Sequence, residues 1–327
     1  MSGANQPFER PGSPSTMPPT VELALQRLWP GAAWSSEPLE GGMTNRNFKV
    51  VLESGPEAGR AVVVQEQLPD ALAGVVGIQR RTQSLALEEI ASLGLTPPVL
   101  AQLADLGVLV VDFVDGSLLS DVADRAGALT MLGQTLARLH AQTRGTSVHG
   151  LVSDPFSGTT WLFEQVDRES PELVEDFGWT MHTLHRIGTA RGSYVAPLLH
   201  ADVSEGNVVF TADRAFLIDW EYAGSGDRFF DVGDFAEKAK LGPEEVAALV
   251  SGYGEAADER VLAAVRCYRF VSMLREGLWS LRAGTTGFLD FDHAGYARTC
   301  LARMAEIASE ASFESDLALL EREEKLP

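Results

Sequence analysis

Residues 199–221 read Leu199-His200-Ala201-Asp202-Val203-Ser204-Glu205-Gly206-Asn207-Val208-Val209-Phe210, then the polar turn Thr211 to Arg214, then Ala215-Phe216-Leu217-Ile218-Asp219-Trp220-Glu221. Val208 to Phe210 and Phe216 to Ile218 are predicted to be short strands joined by that turn, so Asp202, Asn207, Asp219 and Glu221 fall at or just beyond strand ends. Apolar residues bury both approaches, and a buried carboxylate requires a partner. A base at Asp202 and oxygen donors at Asn207 and Asp219 form a phosphoryl-transfer apparatus, because Mg2+ bridging nucleotide phosphates takes hard oxygen ligands.

Composition is compatible with that chemistry. A chain of 327 residues with 45% hydrophobic and 22% charged residues is long enough for a well-buried core in two lobes. With 26 basic against 46 acidic residues the formal net charge is -20, which repels a phosphate backbone and would draw in a small cation. Nucleic acid is therefore not an expected partner. Cys267 and Cys300 have neither paired spacing nor a nearby histidine, so they suggest no disulfide framework and no zinc site. The N-terminus lacks an apolar signal core and no stretch reaches membrane-spanning length, so the expected protein is cytoplasmic without membrane insertion.

Residues 1–20, with four prolines after residue 10, read as a disordered tail. Residues 21–113 are expected to form a small β-rich lobe that binds nucleotide. It would hold a helix at Val21 to Leu28, a strand leaving the Gly41-Gly42 turn through Asn47 to Val50, and a second strand at Ala61 to Val64. A helix at Gly77 to Leu93 would follow, then strands at Val99 to Leu103 and Val108 to Phe113. Residues 114–327 are expected to be mainly helical, with helices over 128–143, 171–189, 243–253, 259–283 and 295–325, and to carry catalysis and substrate binding. The class is α+β.

Six strings in order then carry a family resemblance: Gly41 to Phe48, His200-x-Asp202 with Ser204 to Asn207, Ile218 to Tyr222, Tyr222-Ala223-Gly224, Gly226 to Asp231, and Leu289 to Asp292 with Tyr296-Ala297. Together they resemble the choline/ethanolamine kinases of the aminoglycoside phosphotransferase and choline kinase group, in particular their bacterial branch. The resemblance covers about residues 35 to 305 and implies a two-lobed protein-kinase-like fold, with ATP and Mg2+ between the lobes and a small alcohol as acceptor.

By that resemblance Asp202 is the catalytic base and substrate contact, Asn207 and Asp219 hold magnesium, and Glu221 supports a second metal ion or its water shell. His200 is an orienting strut. Gly42, Thr44, Asn45, Asn47 and Gln65 would surround the phosphates, while Asp112 and Phe113 join the lobes beside the adenine. Tyr222, Trp279, Phe291 and Tyr296 fall where choline kinases place the rings that hold a quaternary ammonium by cation-π attraction, and Glu276 lies one helical turn before Trp279. A small cationic amino alcohol is the expected partner, with a homodimer left open. A carboxylate at 276 leaves room for a primary ammonium.

One departure stands out. Kinase-like folds carry a basic residue at the end of the strand over 61–64, paired with a glutamate on the next helix, and this chain has Gln65 and Gln83. Glutamine hydrogen-bonds a phosphate without neutralising it. Arg60, Arg80 and Arg81 are the cations near enough in sequence to compensate. An aminoglycoside or sugar kinase, and a weakened kinase scaffold that binds a cationic ligand, are the alternatives these residues leave.

Overall fold

A computed structural model describes residues 17–39, 43–254, 259–287 and 289–321. The expected Gly42 contact lies outside the described residues, as do most of the tail expected over 1–20 and the chain beyond 321.

Helix α1 (Pro19–Leu28) has a proline at its first position, where a missing N–H costs nothing, so Pro19 and Thr20 are helical rather than tail. Strands β1 (Trp34–Leu39), β2 (Arg46–Leu52) and β3 (Ala61–Glu66) form an antiparallel run. Strands β4 (Val99–Leu103) and β5 (Val108–Asp112) complete a five-stranded sheet in the order β1-β2-β3-β5-β4. Alternation decides its two faces. Phe48, Val50, Val62, Val64, Val108 and Val110 form one core with Val21, Ala24 and Leu25 of α1. The other face turns Asn47, Val63, Gln65, Leu109 and Val111 toward a cleft.

Between β3 and β4 lie α2 (Asp70–Ala73) and α3 (Arg80–Ile90). The helix expected over 77–93 begins later because Gly77, at φ 85, closes a 3-10 turn over residues 74–76. Gln83, Ala86, Leu87 and Ile90 are its buried face, and Gly94 ends the segment in the left-handed region at φ 63.

The remainder is mostly helical. Its helices are α4 (Arg125–Gln142), α5 (Ser157–Glu169), α6 (Gly178–Arg191), α7 (Phe229–Lys238), α8 (Pro243–Gly252), α9 (Glu259–Gly284), α10 (His293–Ser309) and α11 (Phe313–Leu320). Two small antiparallel pairs interrupt them: β6 (Leu198–Leu199) with β9 (Gly224–Ser225), and β7 (Val208–Phe210) with β8 (Ala215–Leu217). The sequence reading omits α5, whose serine and threonine-rich start reads as loop. It also runs one helix through 295–325, which the extended backbone of Glu310 breaks in two. Residues 171–177 are 3-10 turns rather than the first half of a helix.

Helix α9 is the axis of this lobe. It spans 26 residues and is buried on several sides, from Val261 to Ala283, because α5, α7, α10 and α11 all pack on it. Helices α4 and α8 approach through Gly133 and Gly252, where a Cβ would lie 2.2 Å from the Leu249 carbonyl and 2.1 Å from that of Thr130. Among the described residues no helix is long and apolar enough to cross a membrane.

Candidate active site

The cleft between the small sheet and the helical lobe has a volume of about 1370 Å³. At one end it is an apolar slot of Leu39, Val63, Leu109, Val111, Val209 and Ile218, with Asp112 and Phe113 at its edge. Asp202, Asn207, Asp219 and Glu221 line its middle, and Tyr222, Lys238, Glu276, Trp279 and Tyr296 its far end.

The segment carrying Asp202 is held from behind. Asp231 is fully buried; its Oδ1 accepts the Ala201 N–H at 2.8 Å and its Oδ2 the His200 N–H at 2.9 Å. His140 Nε2 lies 3.0 Å from the same Oδ2, and its Nδ1 lies 2.7 Å from the Tyr253 hydroxyl. Burial alone would push the Asp231 carboxyl up, but the His140 hydrogen bond, the two imidazoles and the His200 N–H hold it below its ordinary value. These bonds keep Ala201 at φ 60, a left-handed conformation that a non-glycine residue adopts at a cost of about 1–2 kcal/mol. Arg275 donates to the Ala201 carbonyl from the other side.

His200 is the strut the sequence suggests. Its Nε2 donates to the Ile218 carbonyl at 2.8 Å, tying the Asp202 segment to the Asp219 segment, while its Nδ1 accepts the Asp202 N–H at 3.3 Å. Burial pulls its pKa down, which favours the neutral ring that this pattern requires. Asp202 Oδ2 accepts from Asn207 Nδ2 at 3.1 Å, and the same nitrogen donates to the Asp202 carbonyl at 2.9 Å. The amide nitrogen is thus spent on Asp202, and the amide oxygen remains for another ligand.

Asp219, at φ 63, has among the described residues only long hydrogen bonds of 3.5 Å, from Asn45 Nδ2 and Gln65 Nε2. Burial first, then the Glu221 and Asp202 charges, push its carboxyl well above the ordinary value. Such a carboxylate is short of positive charge. Mg2+ usually keeps several waters and one or two protein oxygens beside phosphate ligands, so Asn207 and Asp219 fit it. Among the described residues no three His, Cys, Asp or Glu side chains gather as a self-sufficient metal cage.

Glu221 meets the small lobe. Its Oε1 accepts from Thr44 Oγ1 at 2.5 Å, and its Oε2 from Asn45 Nδ2 at 2.8 Å and Arg80 Nη1 at 3.3 Å. Three donors of the small lobe therefore reach it, which makes it a lobe-to-lobe contact, while burial still holds its carboxyl above the ordinary value. Thr44 and Asn45 are committed to the same contact, and Asn45 Oδ1 also accepts the Leu68 N–H at 3.0 Å.

Gln65 does occupy the cleft position on β3, and its Oε1 is buried without a hydrogen-bond partner among the described residues. It does not pair with Gln83, whose Oε1 accepts from Gln67 and Arg80. Of the three candidate cations, Arg60 is spent on Glu57 and Asp112 and Arg81 is exposed, which leaves Arg80 beside Glu221.

At the far end of the cleft, Tyr222 is buried, takes a 2.5 Å hydrogen bond from Trp279 Nε1 and has Arg275 5.3 Å from its ring centroid. Tyr296 donates to Glu276 Oε2 at 3.2 Å. Phe291 is 44% exposed and does not line the cleft; it packs edge-on against Tyr296 and His293 because the loop before α10 carries it outward. The sequence reading missed Lys238, whose Nζ lies 2.7 Å from Asp202 Oδ1, 3.0 Å from Glu276 Oε1 and 3.1 Å from Asp234 Oδ2. Burial would pull this ammonium's pKa down, and the three carboxylates more than reverse it. The i, i+4 spacing of Asp234 and Lys238 was the available signal.

Residues 35–266 match the phosphotransferase enzyme family (APH). A choline/ethanolamine kinase family protein from Mesorhizobium loti superposes with a TM-score of 0.72 at 22% identity, over 92% of this chain and 99% of that one. Choline kinase LicA from Streptococcus pneumoniae gives 0.69 at 18% identity, over 88% and 98%, and a LicA structure in complex with AMP gives 0.64 at 15%, over 88% and 97%. Thiamine kinase of Escherichia coli strain SMS-3-5 is 28% identical over 256 residues, 71% of this chain and 78% of the relative. With the sheet, the cleft and the Asp202, Asn207 and Asp219 constellation all falling within or beside the matched span, the chain belongs to the phosphotransferase enzyme family.

Proposed function

We propose that the protein catalyses MgATP-dependent transfer of the γ-phosphoryl group to the hydroxyl of a small cationic alcohol of the choline, ethanolamine or thiamine type. The observation that carries this reading is the position of Asp202: one carboxylate oxygen faces Asn207, and the other faces a cluster that already holds an ammonium group, that of Lys238.

The apolar slot would take the adenine and Asn207 and Asp219 would hold Mg2+, which neutralises phosphate charge when bound. Asp202 accepts the proton of the substrate hydroxyl as that oxygen bonds to phosphorus, and ADP leaves. Asn207 keeps the carboxylate aimed, and the Asp231 and Arg275 contacts keep its backbone in place. The acceptor's positive charge is supported by Glu276 and Asp234, and its body by the Trp279 and Tyr296 rings.

A wider acceptor, such as an aminoglycoside or sugar, is favoured by one feature. The cleft lining also includes the charged residues Glu237, Arg269, Arg303 and Glu306, with the hydroxyl of Thr299. Incubation with MgATP and a panel of choline, ethanolamine, thiamine, sugars and aminoglycosides, read by mass spectrometry for a phosphorylated product, separates the readings. Product from the cationic alcohols alone supports the first, product from the larger acceptors alone the second, and no product from any of them counts against both.

A further inference from the structure

We infer that Lys238 is a specificity-determining residue of the acceptor site, occupying in the free protein the place of the substrate's positive charge, so that a cationic acceptor binds by displacing it. This rests on the cationic-acceptor reading above.

Three carboxylates converge on one ammonium. Asp202 and Glu276 lie 2.7 and 3.0 Å from Nζ, and Asp234 Oδ2 lies 3.1 Å away without hydrogen-bond geometry. The Lys238 side chain is only 14% exposed, yet it lines the cleft. It ends α7, and four methylenes separate its charge from a backbone that carries no further helical turn. Such a group can withdraw without unfolding the element that bears it.

The protein fills a second cation position itself. The Arg275 guanidinium lies 5.3 Å from the Tyr222 ring centroid, so an acceptor would share that ring with a resident cation, while Trp279 and Tyr296 also line the cleft. An incoming ammonium beside Asp202 therefore meets the carboxylates that Lys238 holds. Two like charges at contact distance repel. Displacement is the way to bring both the hydroxyl and the charge of a short amino alcohol to Asp202 and Glu276. A neutral alcohol meets no such competition and gains nothing from those carboxylates.

The test uses two probes that differ by one charge, choline and its neutral carbon isostere 3,3-dimethylbutan-1-ol. Binding is followed by Trp279 fluorescence and calorimetry without nucleotide, on the wild-type protein, Lys238→Met, and the double variant Asp234→Asn with Lys238→Met. The double variant removes the carboxylate that the single change would leave buried and unpaired. Lys238→Met, or the double variant if the single one does not fold, should bind choline at least tenfold more tightly than wild type, with the isostere changed less than twofold. Choline binding that is unchanged or weaker in a folded variant overturns the inference and leaves the cationic-acceptor reading standing. Choline bound no better than the isostere by every form overturns that reading, and the inference with it.

Discussion

Asp231→Asn is nearly isosteric, yet it should be severe. The wild-type carboxylate has two oxygens facing three donors: Ala201 N–H on one, and His200 N–H with His140 Nε2–H on the other. Asparagine offers one oxygen, and in the better rotamer it serves His200 and His140 while its amino group faces the Ala201 N–H. One charge-assisted bond is lost and two buried donors are left opposed, at about 1–3 kcal/mol each, so the expected loss is about 4 kcal/mol. For a chain of this size that corresponds to a fall of about 6 °C in melting temperature. Ala201 also loses the contact that keeps it left-handed, and relaxation by about 1 Å at the neighbouring Asp202 should lower kcat on the order of a hundredfold. Calorimetry and steady-state kinetics on the purified variant measure both. A melting temperature within 1 °C of wild type together with an unchanged kcat would refute the reasoning.

Glu221→Gln should destabilise by about 1–3 kcal/mol, because it leaves donors of the small lobe imperfectly met while removing a charge that burial disfavours, and the Mg2+ concentration for half-maximal activity should stay within twofold; a large shift in that concentration would make Glu221 a metal ligand. Burial, opposed by Lys238 and aided by Asp202 and Glu276, raises the Asp234 carboxyl from its ordinary value of 3.8 to about 6, so the folded state binds this proton more tightly than the unfolded one. Its contribution is complete below about pH 4 and is lost as pH rises through about 6; a two-unit shift is worth about 3 kcal/mol, and urea midpoints of Asp234→Asn across that range should show a correspondingly flatter profile. Gly252→Ala should cost about 1–3 kcal/mol in chemical denaturation, because its Cβ would meet the Thr130 carbonyl at 2.1 Å where α4 and α8 touch.

What was legible in the sequence follows from range. The strands of the small lobe are visible because period-two burial is local, and Asp202, Asn207 and Asp219 are visible because short apolar segments of fixed length set their spacing. Helix ends were less visible. Gly77 and Glu310 change the backbone at single residues inside sequences that otherwise favour helix. The partners of the site were hardest to see. Lys238 reaches Asp202 across 36 residues and Arg275 reaches Ala201 across 74; the i, i+4 spacing of Asp234 and Lys238 marks a pair within α7, but it does not point to Asp202, and Arg275 carries no local signal. Glu221 shows the converse: its position two residues after Asp219 suggests a second metal ion or its water shell, and nothing local announces the contacts that Thr44, Asn45 and Arg80 make with it from the other lobe.

The central claim is that Asp202 accepts a proton from an alcohol while phosphate transfers to it. Phosphorus NMR of wild type and Asp202→Asn, each with MgATP and whichever alcohol the panel identifies, follows the phosphate ester and ADP directly. With Asp202 as base, wild type should form ester and ADP in equal amounts, and the variant should slow by about a hundredfold to ten-thousandfold while still binding nucleotide. Ester formation by Asp202→Asn at the wild-type rate would contradict the account.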